Sequence, residues 1–164
     1  MTRSRDVASR NYYKPGEVVQ TLYVQSSARQ TISAADISPI TALVIGITPR
    51  FSNSRILLRA MVNSSSTYVS TFGFTKDGTN VSSVSNSNSS GSIATVYQFD
   101  TAGNNMENIY LEYLDTAVTS TSNIFYRVAA CSSWAGTSYN LYINDRSTSD
   151  MLSISTFTVQ EIAQ

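Results

Sequence analysis

Through most of this chain apolar and polar residues alternate with a period of two, which predicts β-strands that bury one face. The clearest stretch is Ile40–Val62, ITALVIGITPRFSNSRILLRAMV, where two apolar runs flank Thr48, Pro49 and a Ser/Asn-rich connection. Pro49 cannot donate to a sheet ladder, so the first run must end there. In the second run Ile56, Leu58, Ala60 and Val62 share one parity, and Arg55, Leu57, Arg59 and Met61 the other. The first set is a core face and the second a face in mixed surroundings.

The same pattern recurs along the chain. Val18–Val24 predicts a first strand and Tyr68–Lys76 a later one, closed by Asp77-Gly78. Asp-Gly between β-patterned runs signals a two-residue hairpin, because both positions tolerate positive φ; the return strand is expected over Thr79–Val84. Ser85–Ser92 is too polar to bury and predicts an exposed loop. Ile93–Phe99 resumes the pattern, and Thr101–Asn108 is a second loop. Ile109, Leu111 and Tyr113 oppose Tyr110, Glu112 and Leu114. Ile124, Tyr126, Val128 and Ala130 oppose Phe125, Arg127, Ala129 and Cys131. A turn around Trp134 leads to Tyr139–Ile143. In Met151–Ile162 the phase changes between Ile154 and Phe157, predicting a bulge or bend near Ser155–Thr156. About nine or ten short strands with frequent turns and no convincing helix predict an all-β fold. The expected form is an antiparallel, jelly-roll-like β-sandwich; a single closed barrel is the alternative. Residues 16–164 form this domain. Residues 1–15 are an N-terminal attachment arm, whose best helical turn is too short to stand alone.

Composition narrows the function. The 164 residues suffice for one core. Charged residues are 13%, so the polar surface is mostly Ser, Thr and Asn. Eleven basic and eleven acidic residues cancel, which removes a global field for nucleic acid. No apolar stretch reaches bilayer length, and MTRSRDVASR lacks the apolar core of a secretory signal. There is no histidine and a single cysteine, Cys131. Histidine-based acid–base and nucleophile systems, histidine zinc sites and thiolate clusters are therefore absent, and no enzyme or cofactor is expected. Asp100, Asp115, Asp145 and Asp150 stand at strand ends, where aspartate is ordinarily a turn residue. The segment 144–150 has oxygen donors without the spacing of a calcium loop, so no metal site is expected.

Charges interrupting strand faces carry more. Arg55, Leu57, Arg59, Met61, Glu112 and Arg127, with Phe125 and Cys131 beside them, suggest either a solvated sheet face or a face that meets a copy of itself in a closed oligomer. In the second case Glu112 is expected to pair with an arginine across the subunit boundary. Trp134 stands out in its Ser/Gly-rich turn, either as a sugar- or protein-contact group or as an indole folded back over the end of the sandwich.

Three segments together resemble β-rich structural domains of the fibre and appendage proteins of tailed bacteriophages, including those of cyanobacteria. They are GITPRFSNSRILLRAMV (Gly46–Val62), IFYRVAACS (Ile124–Ser132) and STSDMLSISTFTVQEIAQ, which ends in Glu161–Ala163. RSRDVAS, Arg3–Ser9, is similar to a short segment upstream of such domains. The resemblance implies a jelly-roll-like subunit of a homotrimer on the virion surface, made in the host cytoplasm. It implies a short tail fibre for host attachment or, alternatively, a capsid cement protein clamping shell subunits. Attachment to other virion proteins would fall to Arg3, Arg5, Asp6, Val7, Tyr12 and Tyr13. Contact with a host receptor, often a glycan, would fall to Trp134, Asn88 and Asn104. The chain has no shaft, heptads or collagen-like repeat, which favours a compact appendage over a long fibre.

Overall fold

A computed structural model describes residues 13–33, 37–82, 96–99, 104–134 and 137–164. Arg3, Arg5, Asp6, Val7 and Tyr12, expected to attach the chain to other virion proteins, and Asn88, expected at a receptor contact, lie outside the described residues. The thirteen described strands are β1 (Val18–Ser26), β2 (Gln30–Ile32), β3 (Ser38–Ile47), β4 (Arg55–Ser66), β5 (Val69–Lys76), β6 (Thr79–Asn80) and β7 (Val96–Phe99). They continue with β8 (Glu107–Asp115), β9 (Ile124–Cys131), β10 (Ser133–Trp134), β11 (Thr137–Ser138), β12 (Leu141–Ile143) and β13 (Ser155–Ile162). No helix is present among the described residues.

The strands form an antiparallel β-sandwich, not a single closed barrel. In sheet 1, β4 is central: β13 pairs with Arg55–Met61 and β12 with Ser64–Ser66. Its opposite edge takes β8, from Ile56↔Asp115 to Ser64↔Glu107. β1 lies beyond β13, and β2 beyond β12. In sheet 2 the order is β3-β9-β5, with β7 and β6 on successive parts of the far edge of β5. The long pairings are nested in sequence. β5 pairs β7, β4 pairs β8, β3 pairs β9, and β1 pairs β13. Among the described residues these pairings nest like the arms of one long hairpin, and β13 also meets β4 and β9 also meets β5.

Period-two alternation places the core. Ile56, Leu58, Ala60 and Val62 of β4 are buried, as are Ile109 and Leu111 of β8 and Phe157 and Val159 of β13. They face Leu43, Ile45 and Ile47 of β3, Phe72 and Phe74 of β5, and Tyr126 and Val128 of β9 in one cluster. The Phe74 and Phe157 rings stack across the sheets, centroids 5.8 Å apart. Each fully buried aliphatic or aromatic side chain contributes roughly 1.5–3 kcal/mol. Leu58→Ala, at 0% exposure, removes such a group from the centre of sheet 1.

The Asp77-Gly78 turn has φ of 49° and 84°, the double positive that a type I′ hairpin needs. Its described return strand is only Thr79–Asn80. β4 runs past Val62 to Ser66, and this polar end is buried: the Ser66 and Ser70 hydroxyls meet at 2.6 Å, and Ser70 donates to Ser132 at 3.2 Å. The bulge expected near Ser155–Thr156 is not there. β13 is regular from Ser155, and the phase changes because Leu152 and Ile154 precede the strand and are exposed. The register shift of this pair falls at the other end, between Val18 and Gln20.

Candidate interaction surface

Strand parity builds one outward face on sheet 1. Arg55, Leu57, Arg59 and Met61 point away from the core on β4, and Tyr110, Glu112 and Leu114 do so on β8. Register aligns them as Leu57↔Leu114, Arg59↔Glu112 and Met61↔Tyr110. The face continues over Gln160, Thr158 and Thr156 of β13 to Thr21, Tyr23 and Gln25 of β1. Met61, Leu114 and Tyr110 are 37%, 38% and 58% exposed. The result is an apolar strip with one ion pair at its middle.

That ion pair forms within the chain. Arg59 Nε donates to Glu112 Oε2 at 2.6 Å, and the Tyr110 hydroxyl donates to the same oxygen at 3.2 Å. The Arg59 hydrogen bond, then the one from Tyr110, holds the Glu112 carboxyl below its ordinary value. The same contact raises Arg59. Glu112 therefore has an arginine within its own chain, because antiparallel register sets Arg59 directly opposite it. The expected placing of Arg127 on the same face is corrected. It lies on β9, in sheet 2, with its guanidinium 5.9 Å from the Phe125 ring centroid. Phe125 and Cys131 share that strand. Local alternation does not specify which sheet a strand joins, and the single expected face divides between sheet 1 and sheet 2. On sheet 2 Gly46 lies under Phe125: a Cβ there would stand 3.0 Å from the ring, which would have to shift by a few tenths of an ångström.

The remaining predicted site residues are dispersed. Tyr13 is held at the β3–β4 turn, its ring edge-on to Phe51 at 5.9 Å and its hydroxyl accepting from Arg50 Nη1 at 3.0 Å. Asn104 sits by the β12–β13 loop, accepting from Ser147 Oγ at 3.0 Å and from Arg146 Nη1 at 3.4 Å. Trp134 belongs to the β10–β11 hairpin, opposite Thr137. Tyr13, Asn104 and Trp134 are thus assigned to different parts of the fold.

In the β12–β13 loop Asn144 takes a φ of 56°. Its amide donates to the Ser26 and Ala28 carbonyls and its oxygen accepts from Ser155 at 2.7 Å. Asp145 faces Arg29 at 3.4 Å. Asp150 is gripped by Arg146 through two hydrogen bonds and by Thr148 through one, which holds its carboxyl far below the usual range. These donors and acceptors are taken up within the loop and in tying it to the β1–β2 connection. Among the described residues no three His, Cys, Asp or Glu side chains gather as a metal site.

Two carboxylates expected to be ordinary polar residues, or passed over, are structural. Glu161 on β13 is fully buried. It accepts from Ser54 Oγ at 2.6 Å, from the Arg50 and Phe51 amides at 2.8 and 3.2 Å, and from Gln20 Nε2 at 2.7 Å. It thereby folds the β3–β4 turn onto the last strand. Asp115, read as a turn residue, instead ties the two sheets: Oδ2 accepts from the Tyr126 hydroxyl at 2.6 Å and Lys76 Nζ at 2.9 Å. Its Oδ1 also accepts from the Ala117 amide at 2.8 Å. Burial pushes the Asp115 carboxyl up, but these hydrogen bonds and Lys76 outweigh it and leave it below its ordinary value. Burial, then Asp115, drives the Tyr126 phenol well above its own. The available signal was parity, since Asp115 shares that of Ile109, Leu111 and Tyr113.

No family model matches the chain, and no curated protein matches it in sequence.

Proposed function

We propose that this chain is a non-enzymatic structural protein of a virion surface, a subunit of a trimeric short tail fibre or appendage serving host attachment. The observation that carries this reading is the nested hairpin. Four pairings, β1 with β13, β3 with β9, β4 with β8 and β5 with β7, lie nested across two antiparallel sheets, and this nesting supports a jelly-roll-like reading of the sandwich. Jelly rolls are an architecture of viral capsid and lectin domains. The segments that resemble phage appendage domains also converge: the turn after Ile47-Thr48-Pro49 is clasped by Glu161 of the Glu-Ile-Ala tail. In this reading the outward face of sheet 1 makes the trimer, and the arm, leaving beside Tyr13, meets other virion proteins.

Antibody labelling of intact particles, viewed by electron microscopy, tests the assignment. Label at the tail is the expected result. Label spread over the head shell replaces it with a capsid cement role, and particles without label overturn both.

A further inference from the structure

None of residues 48–54, between β3 and β4, belongs to the apolar core cluster. Ser52 and Asn53 are exposed and Phe51 is half-buried. What holds this turn is the carboxylate of Glu161, fully buried on β13. Three of its four donors come from the turn: the Arg50 and Phe51 amides and the Ser54 hydroxyl. The fourth is Gln20 Nε2, which also donates to the Thr48 carbonyl at 2.9 Å. Among the described residues no cation comes within ion-pair distance of Glu161.

Such an attachment is all-or-none. A buried carboxylate facing neutral donors must keep nearly all of them or return to water. Lifting the turn removes three donors at once and admits water in their place, whereas a half-lifted turn supplies neither. The turn also moves as a unit, because the Ser54 amide donates to the Phe51 carbonyl at 3.3 Å. β13 does not follow it, being paired with β1 on one side and β4 on the other. Closed and open turns are therefore separated by arrangements that cost more than either.

Tyr13 bears on the closed turn. Its ring meets Phe51 and its hydroxyl accepts from Arg50, so both contacts are with the turn and neither is with Glu161. The residues that follow fix Tyr13 in place. The Lys14 amide donates to Glu17 Oε2 at 3.0 Å, Gly16 takes a φ of 87°, and the Gly16 amide donates to the Ala163 carbonyl at 2.9 Å.

We propose that residues 48–54 are a two-state latch, closed on Glu161 and kept closed by Tyr13, which opens when Tyr13 is drawn away while the sandwich stays folded. The coupling runs both ways, because the Tyr13 contacts exist only in the closed state. The latch does not depend on the virion reading above and is tested separately from it.

Amide hydrogen exchange on the full chain, followed residue by residue by NMR, reads such local opening. The reporters are the Arg50 and Phe51 amides, which donate to Glu161 and reach water when the latch opens. The β4–β13 ladder around Leu58 and Val159 is the control. In Tyr13→Ala both reporters are expected to exchange at least tenfold faster, by the same factor, with the ladder unchanged. Tyr13→Phe keeps the ring on Phe51 and should give a smaller acceleration. Reporters as slow in Tyr13→Ala as in wild type, or accelerated by different factors, overturn the proposal. So does an equal acceleration of the ladder, which is what a plain loss of global stability produces.

Discussion

Glu112 and Asp115 lie on the same strand, β8, but their parity sends them to opposite sides of it. Glu112 faces outward, meets Arg59, and both side chains remain 47% exposed. Asp115 faces inward, with a side chain 3% exposed, and meets Tyr126 and Lys76 from sheet 2. The outer pair has the shorter ion-pair distance, 2.6 Å against 2.9 Å. Distance does not rank them. Water and salt screen the outer pair, and holding two long side chains together offsets much of its attraction. The inner carboxylate has no water to return to, so removing it leaves a phenol and an ammonium without their acceptor. Its importance lies in what it would strand.

Substitutions measure that contrast. Asp115→Ala is expected to cost about 3 kcal/mol, the low end for breaking a buried pair because Lys76 keeps some solvent. Urea unfolding reads it, and a midpoint equal to wild type would refute the inner role. Acid gives the next largest effect. The folded Asp115 carboxyl titrates below its ordinary value, so its stabilisation is complete above the unfolded value, about 3.9, and is lost as pH falls through the folded one. Asp115→Asn should therefore flatten the acid limb of a stability profile taken between about pH 5 and 2. A limb as steep as wild type would assign acid sensitivity elsewhere.

For Tyr126 the sign reverses. Its raised value makes its contribution complete below the unfolded phenol value, about 10, and lost as pH climbs beyond it. Tyr126→Phe removes one hydrogen bond to a charged acceptor and is expected to cost about 1.5 kcal/mol at neutral pH. A cost equal to that of Asp115→Ala would mean that Lys76 adds nothing. Glu112→Gln should leave the urea midpoint within experimental error, and any small change should vanish in about 1 M salt. A clear loss of stability there would erase the distinction between the two faces.

Strand faces were legible in the sequence because alternation is local. Ile56 to Val62 against Arg55 to Met61, and the Asp77-Gly78 reversal, follow from side-chain geometry and turn chemistry alone. Sheet membership was not legible, since it depends on pairings between distant segments. Arg127 was therefore grouped with Arg59 although they lie on different sheets. Buried polar groups were also hidden. Ser66 resembles a turn residue until Ser70, itself bonded to Ser132, supplies a partner. Glu161 resembles a solvated terminal charge until the β3–β4 turn folds over it. Leu152 and Ile154 misled in the other direction: apolar residues imply burial, and these two stay in solvent.

The pairing of β1 with β13 also has a consequence in time. During synthesis β1 emerges among the first strands, yet its partner is among the last. Val18 and Ile162 meet only after nearly the whole described chain has been made. Contacts this remote in sequence are slow to form. Until then β1 is an unpaired edge carrying Leu22 and Val24, available to the wrong strand of a neighbouring nascent chain. Refolding from denaturant should therefore be slow, and its yield should fall as protein concentration rises.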